Sequence, residues 1–269
     1  MSRLWELILQ PNGLTTVFQP IFDARNGPLK LFSLEALTRG PRDTNIERSD
    51  ILFEYVRRKR REAEVDMLSM AAALRMASSL PLLPSLSLNV HAVTLERERR
   101  LPLWLAEQCA EHGVPLDRLI IEIVEHAPPW SGPQFLENLD RLRSLGVRIA
   151  LDDVGLGQSN FRMMVDCRPE LLKIDRYFVD GCHADPLRRA VLESISELAC
   201  RLGARSVAEG IEDERDVATV TATGISLFQG YLFCRPCSAA ALASKAFMAT
   251  ARETLSSTAA ASDSLSPLT

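Results

Sequence analysis

Ile149–Gly157 reads IALDDVGLG. Ile149, Ala150 and Leu151 make an apolar run of the kind that fills a buried strand. Asp152 and Asp153 follow it, and Gly155 and Gly157 permit a tight turn. Neighbouring side chains on a strand point to opposite faces. Both aspartates therefore serve one site only if the strand ends between them and Asp153 turns with the loop. Two carboxylates this close repel, and the repulsion raises a pKa unless a cation lies between them. An isolated Asp-Asp pair reads most simply as an exposed turn. The acids and amides at the ends of other strands are what argue for more.

Working outward, β-branched and aromatic residues at Thr15–Ala24 predict a strand, and Leu29–Thr38 predicts a second across the Asn26-Gly27-Pro28 turn, an antiparallel hairpin. Further strands are expected at Ser85–Val90, Leu119–Val124, Val147–Leu151, Leu171–Asp175, Ser206–Ala208 and Ile225–Phe228. Helices are expected from Ile51, capped by Asp50, through the basic run Arg57–Arg61 to about Ser79. Others are expected at Leu101–His112, Gln134–Leu145, Pro186–Leu202, Glu212–Thr223 and Ser238–Thr254. A short amphipathic helix opens the chain with Leu4, Trp5, Leu7 and Ile8 on its apolar side. This alternation, at 269 residues, predicts an α/β fold: a (β/α)8 TIM-like barrel over residues 1–254 with one antiparallel strand near the N-terminus. The Ser/Thr/Ala-rich tail 255–269 is expected to be disordered. A doubly wound sheet is the rival, but no Gly-rich phosphate fingerprint follows the first strands.

The net charge of −4 argues against a protein that coats nucleic acid, and no apolar run reaches membrane-spanning length. The first residues carry too short an apolar stretch for a signal peptide. Six scattered cysteines suggest reduced thiols and a cytoplasmic setting. Cys234 and Cys237 form one CxxC without the second pair that a structural zinc site needs.

At or near the C-terminal ends of the predicted strands stand Glu35, Asn89, Glu122, Asp152 with Asp153, Lys173 with Asp175, Glu209 and Gln229. Barrel active sites lie at that rim and draw on several strands. Each residue alone has an ordinary structural explanation; the set is harder to assign to chance. Leu172 and Ile174 flank Lys173, so a lysine is aimed into a buried strand layer and needs charged partners. Glu35, Asn89, Glu122, Asp152, Asp153 and Glu209 are hard oxygen donors, which suit Mg2+ or Mn2+ better than zinc. The four histidines form no HxxxH pair. So many carboxylates suggest two cations bridged by Asp152, an arrangement suited to in-line phosphoester cleavage. Lys173 would lie near the attacking water or a phosphate oxygen. Glu35 and Arg39 share a strand face; Arg39 grips a phosphate or guanine edge, or else pairs with a neighbouring acid. Gln19 is compatible with binding a base or sugar, or with a structural role.

With these residues in place, the sequence resembles the EAL-type cyclic di-GMP phosphodiesterases over roughly Val17 to Ala246. The pieces fall in the family's order: FQPI at Phe18–Ile21, EALTR at Glu35–Arg39, SLNV at Ser87–Val90 and EIVE at Glu122–Glu125. DDVGLG at Asp152–Gly157, LKID at Leu172–Asp175, AEGIE at Ala208–Glu212 and QGYLFCRP at Gln229–Pro236 follow. The resemblance implies Mg2+- or Mn2+-dependent hydrolysis of cyclic di-GMP to linear pGpG. It implies metal ligation by Glu35, Asn89, Glu122, Asp152, Asp153 and Glu209, with Lys173 organising the water. Gln19, Leu37, Arg39, Glu212 and Gln229 match positions near the dinucleotide or supporting it. Glu125 matches an acid that steadies the loop after Asp153, and Asp175 an acid supporting the lysine. A homodimer is implied, with that loop contributing contacts. The family usually reads DDFGTG there, whereas Val154 and Leu156 stand in this chain. The alternative that follows is a weak or inactive cyclic di-GMP receptor or partner-binding module. An unrelated barrel metalloenzyme of enolase type, with Lys173 as base, ranks behind both. No sensor or cyclase domain fits in the chain; if it is a fragment, such domains would lie outside it.

Overall fold

The computed structural model describes residues 3–25, 28–80, 84–124, 132–156 and 161–244. Its elements run in the order α1 (Arg3–Ile8), β1 (Thr15–Asp23), β2 (Lys30–Arg39), α2 (Ser49–Lys59), α3 (Glu62–Ala77), β3 (Ser85–His91), α4 (Ala92–Arg97) and α5 (Leu101–His112). They continue with β4 (Leu119–Val124), α6 (Pro133–Ser144), β5 (Arg148–Val154), α7 (Phe161–Cys167), β6 (Leu171–Ile174), α8 (Arg176–Val179), α9 (Pro186–Arg201), β7 (Arg205–Ala208), α10 (Glu214–Ala222), β8 (Leu227–Phe228) and α11 (Ala239–Leu242). The strands pair in sequence order and close into an eight-stranded barrel. β3–β4, β5–β6, β6–β7 and β7–β8 pair in parallel. β1 runs antiparallel to β8, with Phe22 opposite Phe228. The reversed strand predicted near the N-terminus is therefore β1.

Two compact units divide the chain. The first holds Met1–Phe18, Glu35–Ile149 and Pro236–Ala239; the second holds Gln19–Leu34, Ala150–Arg235 and the described residues from Ala240 onward. In the first, Trp5 and Ile8 of α1 pack with Leu14, Ile46, Leu52, Val56 and Val65. In the second, Ile174, Ala208 and Phe228 on the strands pack with Val179, Leu192, Ile211 and Val220. Such burial, worth about 1.5–3 kcal/mol per large apolar side chain, is what seats the helices on the strands.

Three expectations change. The helix predicted from Ile51 to about Ser79 is two helices, and α2 begins at Ser49 with Asp50 inside its first turn, paired to Arg48. The break falls at Arg60, which takes a left-handed φ of 54°. Its N–H donates to Arg57 O and that of Arg61 to Val56 O, a closure usually built on glycine. Second, β5 does not stop at Leu151 but continues through both aspartates to Val154. Third, α4, α7 and α8 were not expected from sequence; each is seven residues or fewer, too short to show a clear 3.6-residue period. The last helix is described over Ala239–Leu242 only, and the 255–269 tail lies outside the described residues. Among the described residues no helix is long and apolar enough to cross a membrane. All six cysteines are free thiols.

Candidate metal centre

The first unit gathers three of the expected oxygen donors. Glu35, Leu37 and Arg39 alternate along β2 and so share one face. Asn89 of β3 lies in register with Glu122 of β4, which places both side chains on one side of the ladder. Asn89 Nδ2 donates to Glu35 Oε1 at 2.9 Å. Glu35 is buried and Glu122 is 1% exposed. Carboxylates at such depth are expensive to ionise without a cation or several donors. Asn89 supplies a sharper observation. With its amide nitrogen turned to Glu35, its carbonyl Oδ1 is buried and has no hydrogen-bond partner among the described residues. An undonated amide carbonyl on the same face of the ladder as Glu122, with its amide nitrogen turned to Glu35, is a donor type that fits a hard divalent cation. Arg39 Nη1 donates to Thr38 O at 3.0 Å.

The second unit holds the Asp-Asp pair, and the pairing of β5 with β6 shows how both acids face one site. Leu151 is opposite Leu172, but Val154 is opposite Ile174. One extra residue is thus accommodated at Asp152–Asp153, a β-bulge. Asp153 takes a left-handed φ of 50°. The strand does not have to end between the aspartates, because the bulge re-aims the second. Carboxylate oxygens of Asp152, Asp153 and Glu209 lie within 4.8 Å of one another. Lys173, 2% exposed, places Nζ 2.7 Å from Glu209 Oε1 and 3.1 Å from Asp152 Oδ1. Burial first, then the like charges of Asp152 and Asp175, push the Asp153 carboxyl up to about 6, with Lys173 opposing. This is the electrostatic state of a cluster with more negative charge than one ammonium neutralises, and it fits a divalent cation.

The supporting residues fall beside these. The Asp175 carboxylate caps α8, accepting from the Tyr177 N–H at 2.6 Å. Glu212 receives Arg176 Nη1 at 2.8 Å. The stem of Arg176 fills the space over Gly210, whose φ is 67°. Gln229 Nε2 donates to Gln19 Oε1 at 3.3 Å, and Gln19 Nε2 to Cys234 O at 3.2 Å. Both glutamines are buried, and so are placed as a pair. Glu125 lies outside the described residues.

Sequence reading missed Arg176 and the Asp66–His91 pair. Asp66, 1% exposed, faces His91 Nδ1 at 2.9 Å through Oδ1 and accepts the His91 N–H at 2.8 Å on Oδ2. Burial alone would depress the His91 pKa, but the Asp66 carboxylate outweighs it and raises it. A lone acid on the buried side of the apolar helix EAEVDMLSMAAALRMA was the available signal.

An eight-stranded α/β barrel with one reversed strand, carrying buried or half-buried carboxylates at several of its strands, defines the class of protein: a TIM-like barrel with acidic strand ends. The EAL domain family model matches residues 3–236, and the chain belongs to that family. It is 34% identical over 152 residues to the cyclic di-GMP phosphodiesterase RocR of Pseudomonas aeruginosa, covering 56% of this chain and 38% of RocR. The chain thus spans well under half the length of that curated relative. Among solved structures, it resembles the Klebsiella pneumoniae BlrP1 complex with calcium and cyclic di-GMP. There the TM-score is 0.76 and identity 28%, over 85% of this chain and 57% of that one. It also resembles a standalone EAL protein from Vibrio cholerae O395 in its cyclic di-GMP-bound form. That match has a TM-score of 0.73 and 26% identity, over 84% of this chain and 93% of that one.

Proposed function

We propose that this domain is a divalent-metal-dependent phosphodiesterase that hydrolyses cyclic di-GMP to linear pGpG, with water as nucleophile. The observation that carries the reading is the Asp152, Asp153 and Glu209 cluster, with ligand oxygens within 4.8 Å and a buried lysine against it. RocR's name and the cyclic di-GMP bound in the two neighbour structures support the substrate. The proposed ligands of two Mg2+ or Mn2+ ions are Glu35, Asn89 and Glu122 of the first unit and Asp152, Asp153 and Glu209 of the second. Bound cations supply Lewis acidity: they neutralise charge on the phosphoryl oxygens and lower the pKa of a water.

The chain's own residues do the rest. Lys173 Nζ, held by Asp152 and Glu209, presents a donor for the water or a phosphoryl oxygen and cannot swing away, being buried. Asp175 keeps the segment after Lys173 in place through the α8 cap. Glu212 holds Arg176 against Gly210, and so steadies the loop that carries Glu209. Gln19 and Gln229 present amides for a guanine edge, and Arg39 and Leu37 contact the dinucleotide.

Turnover is favoured over binding alone because Val154, which replaces the family's usual phenylalanine, is buried and paired with Ile174. The bulge is therefore anchored even without an aromatic ring. A homodimer is supported by Phe161 and Val165, one helical turn apart on α7 and 74% and 64% exposed. A cytoplasmic location is part of the same proposal, and the free thiols are compatible with it.

The test is to incubate the purified protein with cyclic di-GMP and Mn2+ and resolve the products chromatographically. The reading expects pGpG, abolished by chelator. Nucleotide binding that persists in Lys173→Met, with no product from the unmutated protein, would instead establish the receptor reading.

A further inference from the structure

We propose that Asp66 is a positioning residue for Asn89: acting through His91 and Thr94, it fixes the point where β3 turns into α4, and so the direction of the Asn89 carbonyl. The inference rests on the reading of Asn89 as a cation ligand.

Asp66 lies on α3 among Val65, Met70 and Ala73, which are all buried. An ionised carboxylate there costs several kcal/mol unless donors surround it. Its donors come from one short segment. The His91 N–H and the Thr94 hydroxyl donate to Oδ2, and His91 Nδ1 faces Oδ1, where the carboxylate favours the proton on Nδ1. His91 is also the N-cap residue of α4, in extended conformation (φ −68°, ψ 142°), and its own side chain caps nothing. Asp66 therefore supplies, from another helix, the acceptor that this helix start lacks.

The other sides of the junction are closed too. His91 is in register with Val124, as Asn89 is with Glu122. The His91 ring lies 5.3 Å from that of Phe53 on α2. Residues two and five beyond Asn89 are thus tied to one buried anchor, while the Asn89 amide nitrogen is tied to Glu35. What these ties leave is the carbonyl Oδ1, buried and without a donor among the described residues. A metal ligand needs that kind of support, because partners behind a ligand set its orientation and their loss typically costs about 10–100-fold in affinity.

The experiment measures Mn2+ affinity by electron paramagnetic resonance of the free ion, on the whole chain without nucleotide. Asp66→Asn and Thr94→Val are tested alone and in an Asn89→Ala background, with circular dichroism as a check on folding. The proposal expects Asp66→Asn to weaken Mn2+ binding about tenfold. Thr94→Val, which removes one donor at nearly constant shape, should give a smaller loss in the same direction. Neither should weaken binding further once Asn89 is alanine, since the two changes act through one group. Equal losses in both backgrounds, or a folded Asp66→Asn protein that melts earlier but binds Mn2+ as before, would overturn it and leave Asp66 a helix cap only. If Asp66→Asn does not fold, Thr94→Val decides by the same criteria. If Asn89→Ala itself binds Mn2+ normally, the ligand reading beneath the proposal falls, and the proposal with it.

Discussion

Replacing Lys173 with methionine separates electrostatics from chemistry at the cluster. The substitution keeps most of the side-chain volume and removes the charge. Nζ lies 2.7 Å from Glu209 and 3.1 Å from Asp152, and the lysine side chain is 2% exposed. Removing one partner of a buried ion pair costs about 3–5 kcal/mol, because the remaining charge is left uncompensated. The two carboxylates retain 15% and 16% exposure, so the lower end, about 3 kcal/mol, applies in chelator. For a domain of this size that is a drop in Tm of roughly 6–12 °C. Mn2+ should then bind Lys173→Met more tightly than the unmutated protein, since no ammonium competes for Asp152 and Glu209. At a free ion concentration of about 100 Kd it returns about 2.7 kcal/mol. Turnover should stay at least about 100-fold down, because the donor is gone. Thermal melts with and without Mn2+, beside product formation, give all three quantities. A variant that melts in chelator where the unmutated protein does would refute the claim that Lys173 neutralises this cluster.

Glu35→Ala should lower turnover by about 100-fold or more while the protein still folds. The Asn89 amide then loses its acceptor, for about 1–3 kcal/mol in a denaturant melt. Gly210→Ala should slow turnover, since a Cβ there comes within 2.5 Å of Arg176 Cγ and 2.6 Å of Arg176 Cβ at a left-handed φ; adding Arg176→Gly, which removes both atoms, should recover part of the loss. Asp216 gives a pH prediction. Burial works to raise its pKa, but the His183 N–H and ring and the Gly181 N–H, with the Cys182 thiol, outweigh it and hold it below the ordinary value. A depressed folded-state pKa contributes stability above the unfolded value, about 4, that is lost as pH falls through the folded one. Asp216→Asn should therefore flatten the acid limb of a stability–pH curve below about pH 4 and lower stability at pH 7.

Most of the barrel was legible because short apolar strand runs bounded by turn residues alternate with helix-length segments. Leu119–Val124 and Leu101–His112 occur with the boundaries the pattern predicts. Boundaries slipped where local geometry overrides pattern. An arginine in left-handed conformation splits the helix predicted from Ile51 to Ser79, and nothing in a run of five basic residues signals that. The Asp-Asp pair shows the same limit at the site. Alternation correctly posed the difficulty of two neighbours serving one place, but a bulge depends on the register with β6, which a single strand does not encode. Lys173 was readable from its apolar neighbours, because a charge in that setting demands partners. Asp66 was not, since its partners lie 25 and 28 residues away on other elements.

The central claim is that these strand-end oxygens hold divalent cations. Crystals of the protein soaked with Mn2+ and measured at the manganese absorption edge test it most directly. The account predicts anomalous peaks within coordination distance of Asp152, Asp153, Glu209 and the Asn89 carbonyl. Anomalous maps with no peak at any of those residues, from protein that still hydrolyses cyclic di-GMP, would contradict it.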